Sequence, residues 1–175
     1  MNTRVTMIPA WVDGTLTPVE KVEVHRRGLR HKAISVFVLR ADGTTLLQRR
    51  ALGKYHTPGL WANTCCTHPY WDEPPEACAT RRLREELGIT GLKLRAVRDL
   101  EYRADVGDGL IEHECVRMFV ADAPVDLPMT LNPDEVCDAR WIRFDALAIE
   151  IAQTPQRFTP WLQIYMRDHA DAVVA

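Results

Sequence analysis

No apolar run in this 175-residue chain approaches the roughly 18 residues of a membrane span, and neither sign of charge dominates. The formal net charge of -2 argues against a broad electrostatic grip on nucleic acid, so any anion must be held by a local basic cluster. The five cysteines (Cys65, Cys66, Cys78, Cys115, Cys137) are odd in number, irregularly spaced and form no Cys-x-x-Cys pair. That spacing excludes a disulfide framework and a closed zinc ribbon, and leaves reduced thiols in a cytoplasmic protein. Repeats, low-complexity tracts and linkers are also missing, and Met1 to Met7 leads into a strand-like stretch without a secretory core. The expectation is one domain, 1–175, large enough to bury a hydrophobic core.

Ala33 to Leu39 reads as a buried strand, Asp42-Gly43 as a turn, and Thr45 to Arg49 as the returning strand. A short strand around Trp61 to Thr64 follows. A helix opens at Pro74 or Pro75 with Asp72 as its cap and stops at Gly88. Leu92 to Tyr102, Ile111 to Val120 and Cys137 to Ile142 read as further strands, Asp145 to Gln153 and Trp161 to Ala170 as helices. Alternation along Ile111 to Val120 sends Glu112 and Glu114 to one face, His113 and Cys115 to the other. Hairpins mixed with helices predict an α+β fold, a mixed sheet sandwiched between helices.

The segment Trp61-Ala62-Asn63-Thr64-Cys65-Cys66-Thr67-His68-Pro69 carries the densest chemistry. A buried cysteine alone packs as a small hydrophobe, but here a thiol stands two residues from a histidine and close to a helix bearing Glu85 and Glu86. Glu73, seven residues, then Arg81-Arg82-Leu83-Arg84-Glu85-Glu86-Leu87-Gly88-Ile89 is a run whose carboxylates can hold Mg²⁺ on a diphosphate. His25 and His31, taken singly, read as surface histidines flanking a basic loop, Arg26 to Arg30. With His68, Glu112 and Glu114 they form an imidazole and carboxylate set suited to Zn²⁺, Mn²⁺ or Fe²⁺. Lys21, Arg50, Lys54 and Arg82 are cations able to grip a diphosphate tail.

The run from Glu73 to Ile89 resembles the Nudix box, with Thr67 in its glycine slot and Arg82 in place of its first glutamate. Together with Trp61-x-Asn63-Thr64-x-Cys66-x-His68-Pro69, Glu101-Tyr102-Arg103-Ala104, Glu112-x-Glu114-Cys115, Asn132 to Val136 and Phe158-Thr159-Pro160-Trp161, it resembles the type I isopentenyl diphosphate isomerases. The resemblance runs from about Lys21 to Trp161 and implies a Nudix-like α/β/α sandwich. It implies interconversion of isopentenyl and dimethylallyl diphosphate through a tertiary carbocation, without flavin.

The same resemblance makes Cys66 and Glu114 the catalytic pair, with Tyr102 assisting Glu114 and Cys66 acting as a thiolate. It assigns His25, His31, His68, Glu112 and Glu114 to one Mn²⁺ or Zn²⁺. Glu86, with the Cys66 carbonyl nearby, goes to a Mg²⁺ carried on the diphosphate. Lys21, Arg50, Lys54 and Arg82 become the diphosphate grip, and Trp161 faces the hydrocarbon. The expected partner is a small isoprenoid diphosphate, the expected assembly a monomer or weak dimer. The competing reading is a Nudix hydrolase of a nucleoside diphosphate derivative; Arg82 in the glutamate slot opposes it.

Overall fold

A computed structural model describes residues 6–174, so most of the Met1 to Met7 stretch and the final residue of the expected domain lie outside the described residues. Strand β3 (His31–Leu39) is the hub of a nine-stranded mixed sheet. It pairs antiparallel with β1 (Met7–Val12), β4 (Thr44–Arg50) and β6 (Cys65–Thr67), and parallel with β8 (Ile111–Asp122). Six of its nine residues are consecutive and buried, Ala33 to Val38, as a strand covered on both faces requires. Beyond it lie β2 (Thr15–Glu20) on β1, β5 (Trp61–Ala62) and β9 (Val136–Arg143) on β4, and β7 (Arg95–Asp105) on β8.

Helix α2 (Pro75–Leu87) covers one sheet face, packing Cys78, Ala79, Leu83 and Leu87 on Ile34, Val36, Val38 and Leu46. The other face lies under α3 (Phe144–Gln153), α4 (Pro160–Asp168) and α5 (Ala170–Val174), where Leu147, Trp161, Leu162, Tyr165 and Val173 meet Phe37, Leu47, Tyr102 and Met118. The sheet between two helical layers is the sandwich the sequence predicts.

Three local readings need correction. The basic loop expected at Arg26 to Arg30 is only partly a loop: Arg26 and Arg27 close helix α1 (Lys21–Arg27), and only Gly28 to Arg30 lie outside it. Glu20 caps it by accepting from the N–H groups of Val22 and Glu23, and Gly28 ends it in the left-handed region at φ 60°. Seven residues are too few for a visible 3.6 period, and the helix is held instead by its caps and by burial of Val24 and His25. Asp72 does not cap α2; it sits in a turn at φ 66°, while Pro74 is the cap residue and makes no side-chain bond. The helix expected from Trp161 to Ala170 breaks at His169 into α4 and α5.

Candidate active site

Sheet register assembles the site before any side chain is considered. In the parallel pair β3/β8, His31 stands opposite Glu114; in the antiparallel pair β7/β8, Tyr102 stands opposite Glu114. Tyr102, Glu114 and His31 thus form one row across three strands. Four residues along β3, Ser35 stands opposite Cys66 of β6. Alternation along β6 then separates the two thiols: Cys65 is fully buried beneath α2, and Cys66 turns to the face that carries Glu114. His113 points away from the cluster and contacts Glu101 at 2.9 Å, as the alternation predicted.

Cys66, Glu112, Glu114, His68, Glu86 and Trp161 line one cavity, together with Lys21, Arg50, Lys54 and Arg82. The Tyr102 hydroxyl donates to Glu114 Oε2 at 2.7 Å, and His68 Nε2 lies 2.9 Å from Glu114 Oε1. The Cys66 thiol donates to Ser35 Oγ and Asn63 Oδ1, both at 3.3 Å, with the Tyr165 hydroxyl 3.8 Å away. Asn63 is fixed in turn by donating to Ser35 Oγ, the Val36 carbonyl and the Cys65 carbonyl. The rings of Tyr102 and Tyr165 meet edge to face at 5.8 Å, so a tyrosine stands behind each member of the pair.

His25, His31 and His68 are buried, not surface, residues; the first two are 0% exposed. One ligand atom from each, with one from Glu112, lies within 4.8 Å of the others. His25 Nδ1 lies 2.5 Å from the Lys21 carbonyl and His31 Nδ1 2.7 Å from the Leu29 carbonyl. A carbonyl only accepts, so both Nδ1 atoms carry a proton and both Nε2 atoms are turned inward, as metal-binding imidazoles require. His31 Nε2 is buried without a hydrogen bond, 3.4 Å from Glu112 Oε2. Three inward imidazole nitrogens and a carboxylate, one nitrogen lacking a partner, fit a divalent cation.

Burial and the adjacent charge of Glu112 push the Glu114 carboxyl well above its ordinary value. Glu112 goes the other way: burial opposes its charge, but the imidazoles of His25, His31, His56 and His68 gathered around it hold it well below. Two carboxylates so close cannot both ionise cheaply, and the histidines select Glu112. Burial, reinforced by Glu114, lifts the Cys66 thiol to about 12, so the chain alone holds a thiol where a thiolate was expected.

The expected diphosphate grip is crowded. Burial and the neighbouring Lys54 lower Lys21 to about 8. Lys54 meets Glu135 at 2.6 Å, and Arg82 meets Glu86 at 2.6 Å and Glu135 at 3.2 Å. Glu86 also accepts from Gln48 Nε2 at 2.8 Å. The Arg50 guanidinium stands 5.3 Å from the centre of a Trp161 ring. All twelve residues singled out from the sequence other than Tyr102 line the cavity or the adjoining imidazole cluster; Tyr102 lies directly behind Glu114. Sequence reasoning missed Gln48, His56, Tyr165 and Ser35. Of these only His56 carried a signal, a histidine two residues after Lys54.

The family model described as NUDIX domain matches residues 29–162. A protein named isopentenyl-diphosphate Delta-isomerase from Cereibacter sphaeroides is 64% identical over 167 residues, 95% of this chain and 94% of that protein. One of the same name from Rhodobacter capsulatus is 62% identical over the same shares. Among solved structures, a Deinococcus radiodurans protein superposes with TM-score 0.74 at 14% identity over 92% of this chain and 97% of its own. A MutT NUDIX hydrolase from Burkholderia pseudomallei superposes with TM-score 0.62 at 24% identity over 80% and 98%. At those identities the structural likeness speaks to the fold.

Proposed function

The chain belongs to the Nudix family and, within it, to the isopentenyl-diphosphate Delta-isomerases, and from that premise we propose that it interconverts isopentenyl and dimethylallyl diphosphate. The observation that carries the reading is the joint placement of Cys66 and Glu114 on one cavity with four cations beside them. The reaction adds a proton to the terminal alkene carbon, forms a tertiary carbocation, and removes a proton from the carbon nearer the diphosphate. One group must hold a proton and the other must accept one, in a place free of water that would trap the cation.

Glu114 is the acid in this scheme. Its raised proton affinity keeps the proton available, and the Tyr102 hydroxyl orients Oε2. Cys66 is the base, positioned by Ser35 and Asn63. The thiol must lose its proton before it can act in that direction, and the hydrogen bonds with Ser35, Tyr165 and Asn63 favour that loss against its burial. In reverse the two exchange roles. The Trp161 ring lines the same cavity, where its face offers a developing cation about 0.5–2 kcal/mol. Lys21, Arg50, Lys54 and Arg82 anchor the diphosphate, far from the reacting carbons, so binding energy there orients the olefin.

His25, His31, His68 and Glu112, with Glu114 adjoining, would hold the Mn²⁺ or Zn²⁺, and Glu86 with the Cys66 carbonyl the Mg²⁺ accompanying the diphosphate. Such ions would supply Lewis-acid charge to stabilise carboxylate and diphosphate anions. The hydrolase alternative loses support because Arg82, in the slot of a metal-binding glutamate, is paired with Glu86 instead. All five cysteines are free of disulfides, and we propose a cytoplasmic setting in which they stay reduced. Among the described residues no helix is long and apolar enough to cross a membrane. We assign the chain as a monomer or weak dimer that needs no flavin.

The deciding experiment incubates isopentenyl diphosphate with the metal-loaded chain in heavy water and follows the methyl groups by NMR. Deuterium should enter the methyl of dimethylallyl diphosphate, and Cys66→Ala should stop it while the fold survives. Phosphate release from nucleotides at a rate above isomerisation would favour the hydrolase.

A further inference from the structure

His56 is buried at 5% exposure, and nothing in the proposed reaction uses it. Its Nε2 lies 3.2 Å from Glu112 Oε1. The other oxygen of the same carboxylate, Oε2, is the one that faces His25 at 3.2 Å, His31 at 3.4 Å and His68 at 3.6 Å. The two oxygens of Glu112 are therefore divided: one toward the three imidazoles, one toward His56.

The ring of His56 is itself held from several sides. Its Nδ1 lies 3.1 Å from Thr57 Oγ1, a hydroxyl able to donate to it, which leaves the proton on Nε2 facing the carboxylate. Its carbonyl accepts from Arg50 Nη2 at 3.1 Å. Trp161 meets the ring edge-on at 5.8 Å and Tyr55 at 4.4 Å. Thr57 holds φ 46°, a strained conformation for a β-branched residue, which persists only where its surroundings over-determine it. A carboxylate free to rotate about its last bond can present either oxygen, or both, to a cation. An N–H donor on one oxygen removes that freedom.

We propose that His56 is a positioning residue that pins Oε1 of Glu112 and so fixes Oε2 as the oxygen offered to a divalent cation among His25, His31 and His68. This rests on the reading that those residues hold a metal. The same histidine ties that carboxylate to Arg50, so the metal end and the diphosphate end of the cavity share one strut.

The test measures Mn²⁺ affinity of the full chain by competition with a chromophoric chelator, for the parent, His56→Leu, His56→Ala and His56→Gln. Loss of the donor should weaken Mn²⁺ binding about 10- to 100-fold. The glutamine amide, which can donate to the same oxygen, should restore most of the affinity. Melting of each metal-free variant separates this from general loosening. A purely structural role would lower the melting temperature of the apo variants and leave Mn²⁺ affinity unchanged, which overturns the proposal. So does a glutamine variant as weak as leucine, the pair that decides if His56→Ala does not fold. A parent chain that takes up no ion overturns the metal reading itself, and the inference with it.

Discussion

Arg82 stands where the Nudix box carries a metal-binding glutamate, and its removal tests what that exchange accomplishes. The guanidinium contacts Glu86 Oε1 through Nε at 3.0 Å and Nη2 at 2.6 Å, Glu85 Oε2 through Nη1 at 3.0 Å and Glu135 Oε2 through Nη2 at 3.2 Å. The side chains of Arg82 and Glu86 are only 17% and 6% exposed, so their pairing is weakly screened. A charge-assisted bond to a buried carboxylate contributes about 1.5–3 kcal/mol, and the half-buried Glu85 pair about 0–1. After Arg82→Ala, Gln48 still donates to Glu86 and Lys54 still reaches Glu135, so the loss stays near about 2–4 kcal/mol. At about 2–4 °C per kcal/mol for a chain of this size, the melting temperature should fall by roughly 4–16 °C. The same guanidinium is assigned to the diphosphate, where losing it should raise KM for isopentenyl diphosphate about 10- to 150-fold. Arg82→Lys keeps the charge without the fork geometry and should fall between. Calorimetry and steady-state isomerase kinetics read the two effects. An alanine variant that melts with the parent and keeps its KM would refute both the structural pairing and the diphosphate assignment.

Three further outcomes follow from the geometry. Tyr102→Phe strips a buried Glu114 oxygen of its 2.7 Å donor, so kcat should drop about 5- to 150-fold with little change in KM; an unchanged kcat would remove Tyr102 from the chemistry. Gly88→Ala places a Cβ 2.9 Å from Thr130 backbone nitrogen at φ 66°, and should lower unfolding free energy by about 2–4 kcal/mol in urea titrations; a neutral substitution would mean that the α2 terminus relaxes freely. The metal-free chain should lose stability as pH falls from 6.5 toward 4. Burial holds His56 at about 4, His68 at about 3 and His31 below its ordinary value, so the unfolded chain takes up protons that the fold refuses. Among the histidines only His25 is raised, against its own burial, by the Glu112 hydrogen bond; its contribution is present below 6.5 and lost as pH rises through its raised value, and it and the raised Glu114 oppose the other three, which outnumber them. Urea midpoints flat across that window would contradict the burial argument.

Much of the site was legible because its parts sit on regular elements. Glu112 and Glu114 could be placed on one face from strand alternation alone, and Gly88 marked the end of α2. Cys66 was told from Cys65 by the family resemblance alone; alternation gives the two opposite faces, and which face looks into the cavity was decided by the pairing of β6 with β3. Helix α1 was hidden because its stability comes from the Glu20 cap and from burying His25 against β8, not from a periodic pattern. His25 and His31 looked like surface residues for the same reason: nothing local to Arg26 and Arg27 announces a fully buried neighbour. His56 escaped because its partner, Glu112, lies 56 residues further along the chain.

By itself the sequence determined the chemical inventory: one thiol at position 66, carboxylates at 112 and 114, imidazoles at 25, 31 and 68, and a helix run with Arg82 in an acidic slot. Only the tertiary structure decided which carboxylate keeps its charge and which its proton. Proton affinity is set by burial and by neighbours drawn from distant segments, and the fold gathers His25, His31, His56 and His68 around Glu112 while leaving Glu114 beside the Tyr102 phenol, His68 and a rival charge.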